Sequence, residues 1–184
     1  MANMSVMQHE NVTYLMTPVI AIPQDNTVMV VYSRVDVKQI ATEGKKYRWE
    51  RPGPCCKCNH CILWGHGHVE RYLDGFVEAL WIKRWRCPLC RAVHTMRPEG
   101  YWRKFQATCT DIVKSLKGKI EHGRWLENTS RQRQQYWWRG FKKQVVHLQG
   151  VMVDSLEKAL EQLGGLGVVI ASHSTNQCEL TGTG

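Results

Sequence analysis

The residues best suited to chemistry in this chain are cysteines. The stretch "GPCCKCNHCILWGHGH", residues 53–68, holds Cys55, Cys56, Cys58 and Cys61, and Cys87-Pro88-Leu89-Cys90 follows downstream. Two cysteines at C-x2-C spacing sit on one tight turn and can reach a single metal ion with tetrahedral angles. The downstream pair is unambiguous, but the upstream pair has two registers, Cys55/Cys58 and Cys58/Cys61. In such a knuckle the chain commonly turns left-handed just after the second cysteine, so that amide N–H groups face sulfur. Asparagine tolerates that turn nearly as well as glycine does. Asn59 follows the first register, whereas the second is followed by Ile62, a β-branched residue penalised at positive φ. The expected ligands are therefore Cys55, Cys58, Cys87 and Cys90, with Cys61 as the alternative. Four thiolates suit Zn2+ and leave no open coordination position, which makes the expected ion structural and the catalytic set empty. His60, His66, His68 and His94 could each replace a thiolate, but read as polar or phosphate-facing. "HGHVE" puts Glu70 near His66 and His68, yet an all-thiolate shell is the wrong ligand set for metal hydrolysis or deamination. Cys56 falls in a spacer position, and Cys109 and Cys178 receive no role.

These cysteines must be held by surrounding elements. "VTYLM", "VIAI" and "TVMVVYS" within residues 12–33 read as strands, with a turn at Gln24–Asn26. "FVEALWIKRWRC" is rich in β-branched and aromatic residues and reads as a strand entering the second cysteine pair. Residues 108–122 read as a helix capped by Thr108, with Asp111 as its partner, and stopped by Gly123. Ser130 can cap a second helix, in which Trp137, Phe141 and Val145 form one buried stripe. A last amphipathic helix runs over 151–163 through Leu156, Leu160 and Leu163. The fold class is α+β, in four parts: a β-rich segment over 1–50, a small four-cysteine zinc ribbon over 51–98, a helix-turn-helix-like region over 99–148, and an amphipathic helix with a flexible tail over 149–184.

Charge is concentrated in the middle of the chain. Residues 51–147 hold 19 basic and 7 acidic side chains, against 5 and 5 before them and 1 and 4 after. The same segment carries seven of the eight cysteines and seven of the eight tryptophans. One concentrated basic block implies a polyanionic partner, of which DNA is the natural choice. Arg131 and Arg133 lie at the start of the second helix, where a recognition helix meets base edges, and Gln134 could pair with adenine. Lys142 and Lys143 lie farther along, toward phosphate, and Arg139 shares the charged faces. Lys83, Arg84, Arg86 and Arg91 of the basic strand and knuckle complete the expected DNA contacts. No run of eighteen apolar residues suggests a membrane span. "MANMSVMQHENV" lacks the order of a secretory signal. A cytoplasmic, nucleoid-associated protein with free thiols is expected.

The string C-x2-C, "NHCILWGHG", then "IKRWRCPLCRAVHTMRP" resembles the transposase-type zinc ribbon, and "TSRQRQQYWWRGF" resembles the arginine-rich helix that follows it in that group. Over about residues 30–147 the chain is similar to a bacterial family of zinc-ribbon plus helix-turn-helix proteins associated with insertion sequences. That family's spacing falls on Cys55 and Cys58, with Gly67 as the matching glycine. Asn59 for glycine, the extra Cys61 and the insert "VERYLDGFVEA" depart from its pattern. The resemblance implies DNA recognition at transposon ends or a regulatory site, without a catalytic domain of its own. A transposase or a second copy of the chain are further expected partners. The rival expectation is a protein–protein module docking on a transposase or transcription complex, favoured if Leu156, Leu160 and Leu163 are exposed.

Overall fold

The computed structural model describes residues 29–147, 155–165 and 169–172. The strands and turn expected before residue 29, the first turn of the last helix and the tail beyond 172 lie outside the described residues.

Four strands form one sheet: β1 (Met29–Ser33), β2 (Trp64–Arg71), β3 (Leu80–Arg86) and β4 (Val93–Pro98), in the order β1-β4-β3-β2. β2, β3 and β4 run antiparallel in sequence, and β1 pairs parallel with β4, Met29 facing His94 and Tyr32 facing Arg97. β3 forms where expected. β2 shifts register between Gly65 and His68. Gly67 takes a φ of +69° there, a conformation in which a side chain is penalised.

Helix α1 (Val37–Glu43) follows β1, capped by Asp36, whose carboxylate accepts from the Lys38 amide at 2.9 Å. It buries Ile40 against the sheet, and Lys45 just beyond it stacks 3.8 Å over the Trp81 ring. Ile40 and Trp49 share one hydrophobic cluster with Cys55, Leu63, Leu80, Ile82, Trp85 and Cys87. The boundary expected near residue 50 thus falls inside a common core.

The second half is helical. α2 (Cys109–His122) starts at Thr108, whose hydroxyl accepts from the Asp111 amide at 3.0 Å and donates to its carboxylate at 2.6 Å. It stops at Gly123, left-handed at φ +67°. α3 (Arg131–His147) follows, with Ser130 accepting from the Arg133 amide at 3.3 Å, and α4 (Leu156–Gly165) packs on both. Trp102, Phe105, Ile112, Leu116, Trp137, Phe141, Leu160 and Leu163 make a second cluster, which shares no residue with the first. The class is the expected α+β. Among the described residues no helix is long and apolar enough to cross a membrane.

Candidate metal centre

The sulfurs of Cys55, Cys58, Cys87 and Cys90 all lie within 4.8 Å of one another. Cys55 Sγ is 3.5 Å from Cys90 Sγ, and Cys58 Sγ is 3.5 Å from Cys87 Sγ. Metal–thiolate bonds of about 2.3 Å set at tetrahedral angles give sulfur–sulfur edges of about 3.8 Å. A disulfide would need about 2.05 Å, and all four are free thiols. The donor set therefore fits one tetrahedral ion.

Two knuckles build the site, and they repeat each other's bonding. In the first, the Asn59 amide donates to the Cys55 carbonyl at 2.7 Å and the Cys55 amide donates to the His60 carbonyl at 2.8 Å. In the second, the Arg91 amide donates to the Cys87 carbonyl at 3.0 Å and the Cys87 amide to the Ala92 carbonyl at 2.9 Å. Asn59 and Arg91, the residues after each second cysteine, are left-handed at φ +56° and +60°. The turn expected at Asn59 is present, and Arg91 makes the same turn with no help from its residue type.

Cys55 and Cys87 are buried, whereas Cys58 and Cys90 are half-buried. Burial alone would raise the Cys87 thiol. The Cys90 amide, 3.5 Å from its sulfur, and the neighbouring Cys58 thiol outweigh that and lower it to about 7. Burial raises the Cys90 thiol. A lowered thiol inside the cluster favours the thiolate that a metal requires.

Cys61 is exposed and stands outside the four-sulfur group. Its replacement by serine is expected to leave metal stoichiometry intact and stability within about 0.5 kcal/mol of the parent. Metal analysis and a denaturation curve check this, and loss of the ion would move the register to Cys58 and Cys61. Cys56 turns the other way, 3.3 Å from Met29 Sδ and 3.5 Å from His94 Nδ1. None of His60, His66, His68 or His94 joins the sulfurs. His94 is buried, which lowers its pKa. Burial also lowers that of His68, assisted by Lys83, Lys45 and Arg84.

The residues expected to contact DNA divide by environment. Arg131, Arg139, Lys142 and Lys143 are exposed on α3, and Arg86 and Arg91 are exposed beside the second knuckle. Lys83 and Arg84 are half-buried; Lys83 lies 5.5 Å from the centre of the Trp85 ring. One expectation needs correction. Gln134, expected at a base edge, is fully buried. Its carbonyl accepts from Ser115 Oγ at 2.7 Å and the Leu126 amide at 2.8 Å, and its NH2 donates to the carbonyls of Leu126 and Thr129. Every donor and acceptor of that side chain is used inside the fold. Arg133 is part-exposed and donates to the Asp74 carboxylate at 2.7 Å. A residue the sequence reading passed over is Trp64, 63% exposed on the edge strand and paired across from Arg86. A scan against protein-family models, a search of curated proteins and a search of solved structures each return no match to the chain.

Proposed function

We propose that this protein binds DNA, with the four cysteines holding a structural Zn2+ in a zinc ribbon and the α2–α3 pair acting as a helix-turn-helix-like grip. The observation that carries this reading is uncompensated charge. Of the 19 lysines and arginines in residues 51–147, Arg133 alone meets a carboxylate of the described residues within 4 Å. Evenly solvated surfaces intersperse the two signs. Here the cations project from α3 and from the strand and knuckle around Arg86 and Arg91, with an exposed indole beside them. Such a surface suits a phosphate backbone, whose counterions it would release on binding. Arg131 and Arg133 are the candidates for base contact, Arg133 in exchange for its exposed pair with Asp74, since Gln134 is spent within the fold. A filled shell of four thiolates offers no open position for substrate, which supports a scaffold over an enzyme. The resemblance to insertion-sequence zinc ribbons is what suggests a mobile element and its ends as the setting.

Duplex affinity measured across salt concentrations tests the reading. The log–log slope should be about −0.9 per phosphate contacted, and Lys142→Gln with Lys143→Gln should reduce its magnitude by about 2. A flat dependence on salt, or a slope indifferent to both changes, would refute it. Glu157→Gln serves as the control on another helix. The docking alternative called for three exposed leucines on the last helix. Leu160 and Leu163 are instead in the helical core, leaving Leu156 outside.

A further inference from the structure

Cys56 lies next to Cys55 in the chain but turns away from the four-sulfur group, toward the sheet. Its Sγ is 3.3 Å from Met29 Sδ and 3.5 Å from His94 Nδ1. Met29 on β1 and His94 on β4 are register partners in the parallel pair. Their side chains therefore leave the sheet on one face, side by side. Three donors from three separate elements, a thiol, a thioether and an imidazole nitrogen, gather around the Cys56 sulfur.

Packing alone does not account for the imidazole. His94 is 1% exposed, and its Nε2 is buried with no hydrogen-bond partner among the described residues. The ring instead aims Nδ1 at a sulfur, a weak hydrogen-bonding partner. Buried polar groups ordinarily have strong partners, and a metal ion at Nδ1 would be one. Metal bonds of about 2.0–2.3 Å at trigonal angles set such donors about 3.7–4.0 Å apart, so the three must spread by about half an ångström. The unbranched Met29 side chain, with its polarizable sulfur, adapts readily to that shift. Cys56 is half-buried, which gives an ion a way in, while Met29 and His94 close the inner side.

We infer that Cys56, His94 and Met29 form a second metal site, selective for Cu(I). Soft thiolate and thioether donors favour Cu(I), and a thioether is not among the usual donors to zinc. Charge points the same way. Cu(I) with one thiolate is neutral, which suits a site walled by buried side chains, whereas Zn2+ would leave a net positive charge there. Three donors complete a trigonal shell but leave zinc one ligand short of its tetrahedron. Binding releases the Cys56 thiol proton to solvent. The ion would tie the first knuckle to β1 and β4. The site is separate from the four-thiolate cluster and from α3, and it rests neither on zinc binding nor on duplex binding.

Anaerobic titration of the full chain with Cu(I), supplied from a chromophoric Cu(I) chelator, tests the assignment, with zinc content measured before and after. One Cu(I) per chain is expected to leave the chelator while the zinc content stays unchanged. Cys56→Ser should abolish that uptake and keep the zinc. Met29→Leu conserves volume and so preserves the fold. It should weaken Cu(I) binding by at least about tenfold, no less than the loss of a supporting hydrogen bond costs a metal site. Cys61→Ser should change neither metal. Uptake of Cu(I) only in exchange for zinc would place the ion in the four-thiolate cluster and overturn the proposal. Absence of uptake, undiminished uptake by Cys56→Ser, or an affinity unmoved by Met29→Leu would overturn it equally. A chain without zinc at the outset would count against the four-thiolate reading alone, since the Cu(I) site is still the one equivalent that Cys56→Ser removes.

Discussion

Replacing Cys87 with serine is expected to abolish metal retention and unfold the sheet. The ion would be held by four thiolates, and structural zinc sites of this kind supply an apparent binding free energy of about 10–16 kcal/mol near neutral pH. A whole domain is stable by only about 5–15 kcal/mol. Cys87 is the most deeply placed of the four, fully buried in the cluster that also holds Trp49, Trp85 and Leu80. Its thiol is drawn down to about 7, and serine offers neither a comparable anion nor the soft donor. Metal content should fall from one ion per chain to less than about a tenth of that, with loss of the near-ultraviolet signal of the buried tryptophans. A chelator acting on the parent should produce the same spectrum. A serine variant that keeps its ion and its spectrum would contradict the assignment, and the comparison with Cys61→Ser controls for a mere loss of thiol.

Replacing Gln134 with leucine should destabilise the helical half by about 4 kcal/mol. The two side chains are close in volume, so little cavity is created. What changes is that the Ser115 hydroxyl, the amide and carbonyl of Leu126, and the Thr129 carbonyl all lose their partner. Each polar group left unsatisfied away from water costs about 1–3 kcal/mol, offset in part by whatever solvent reaches the connector. Ser115→Ala should cost about 1 kcal/mol in the parent and almost nothing once Gln134 is gone, because the two share one bond. Denaturant titration of the four proteins gives this directly. A cost for Gln134→Leu below about 1 kcal/mol would mean that the connector is not held by this side chain.

Much of this arrangement could be read from residue types. Local rules decided the Thr108 cap, the Gly123 stop and the turn at Asn59, since each depends on the conformational preference of one residue and its near neighbours. What escaped the reading depends on partners far along the chain. Gln134 looked like a surface residue because it sits among arginines. Yet Gln134, Trp137, Phe141 and Gln144 are spaced by three, four and three, which is the buried stripe itself. That spacing was the available signal, and the polarity of glutamine obscured it. Arg133 was read as a free cation because its partner, Asp74, belongs to the insert "VERYLDGFVEA", which has no local pattern to read. The parallel pairing of β1 with β4 leaves no mark in either strand, so Ile40 and Trp49 were assigned to a separate segment. Arg91 turns left-handed with no residue preference for doing so, because the knuckle's backbone bonds impose it.

The two hydrophobic clusters bear on how the chain comes apart. Among the described residues they meet through few polar ties: the Arg133–Asp74 pair, the Asp74 amide on the Gln106 carbonyl, the Arg103 amide on the Tyr32 hydroxyl, and Arg97 on the loop before α2. An ion pair this exposed is worth no more than about 1 kcal/mol. Energy delivered by a metal to the cysteine-bearing cluster is therefore passed only weakly to the helices. The chain is expected to unfold as two foldons, each with its own melting cooperativity, so that a single midpoint would describe neither.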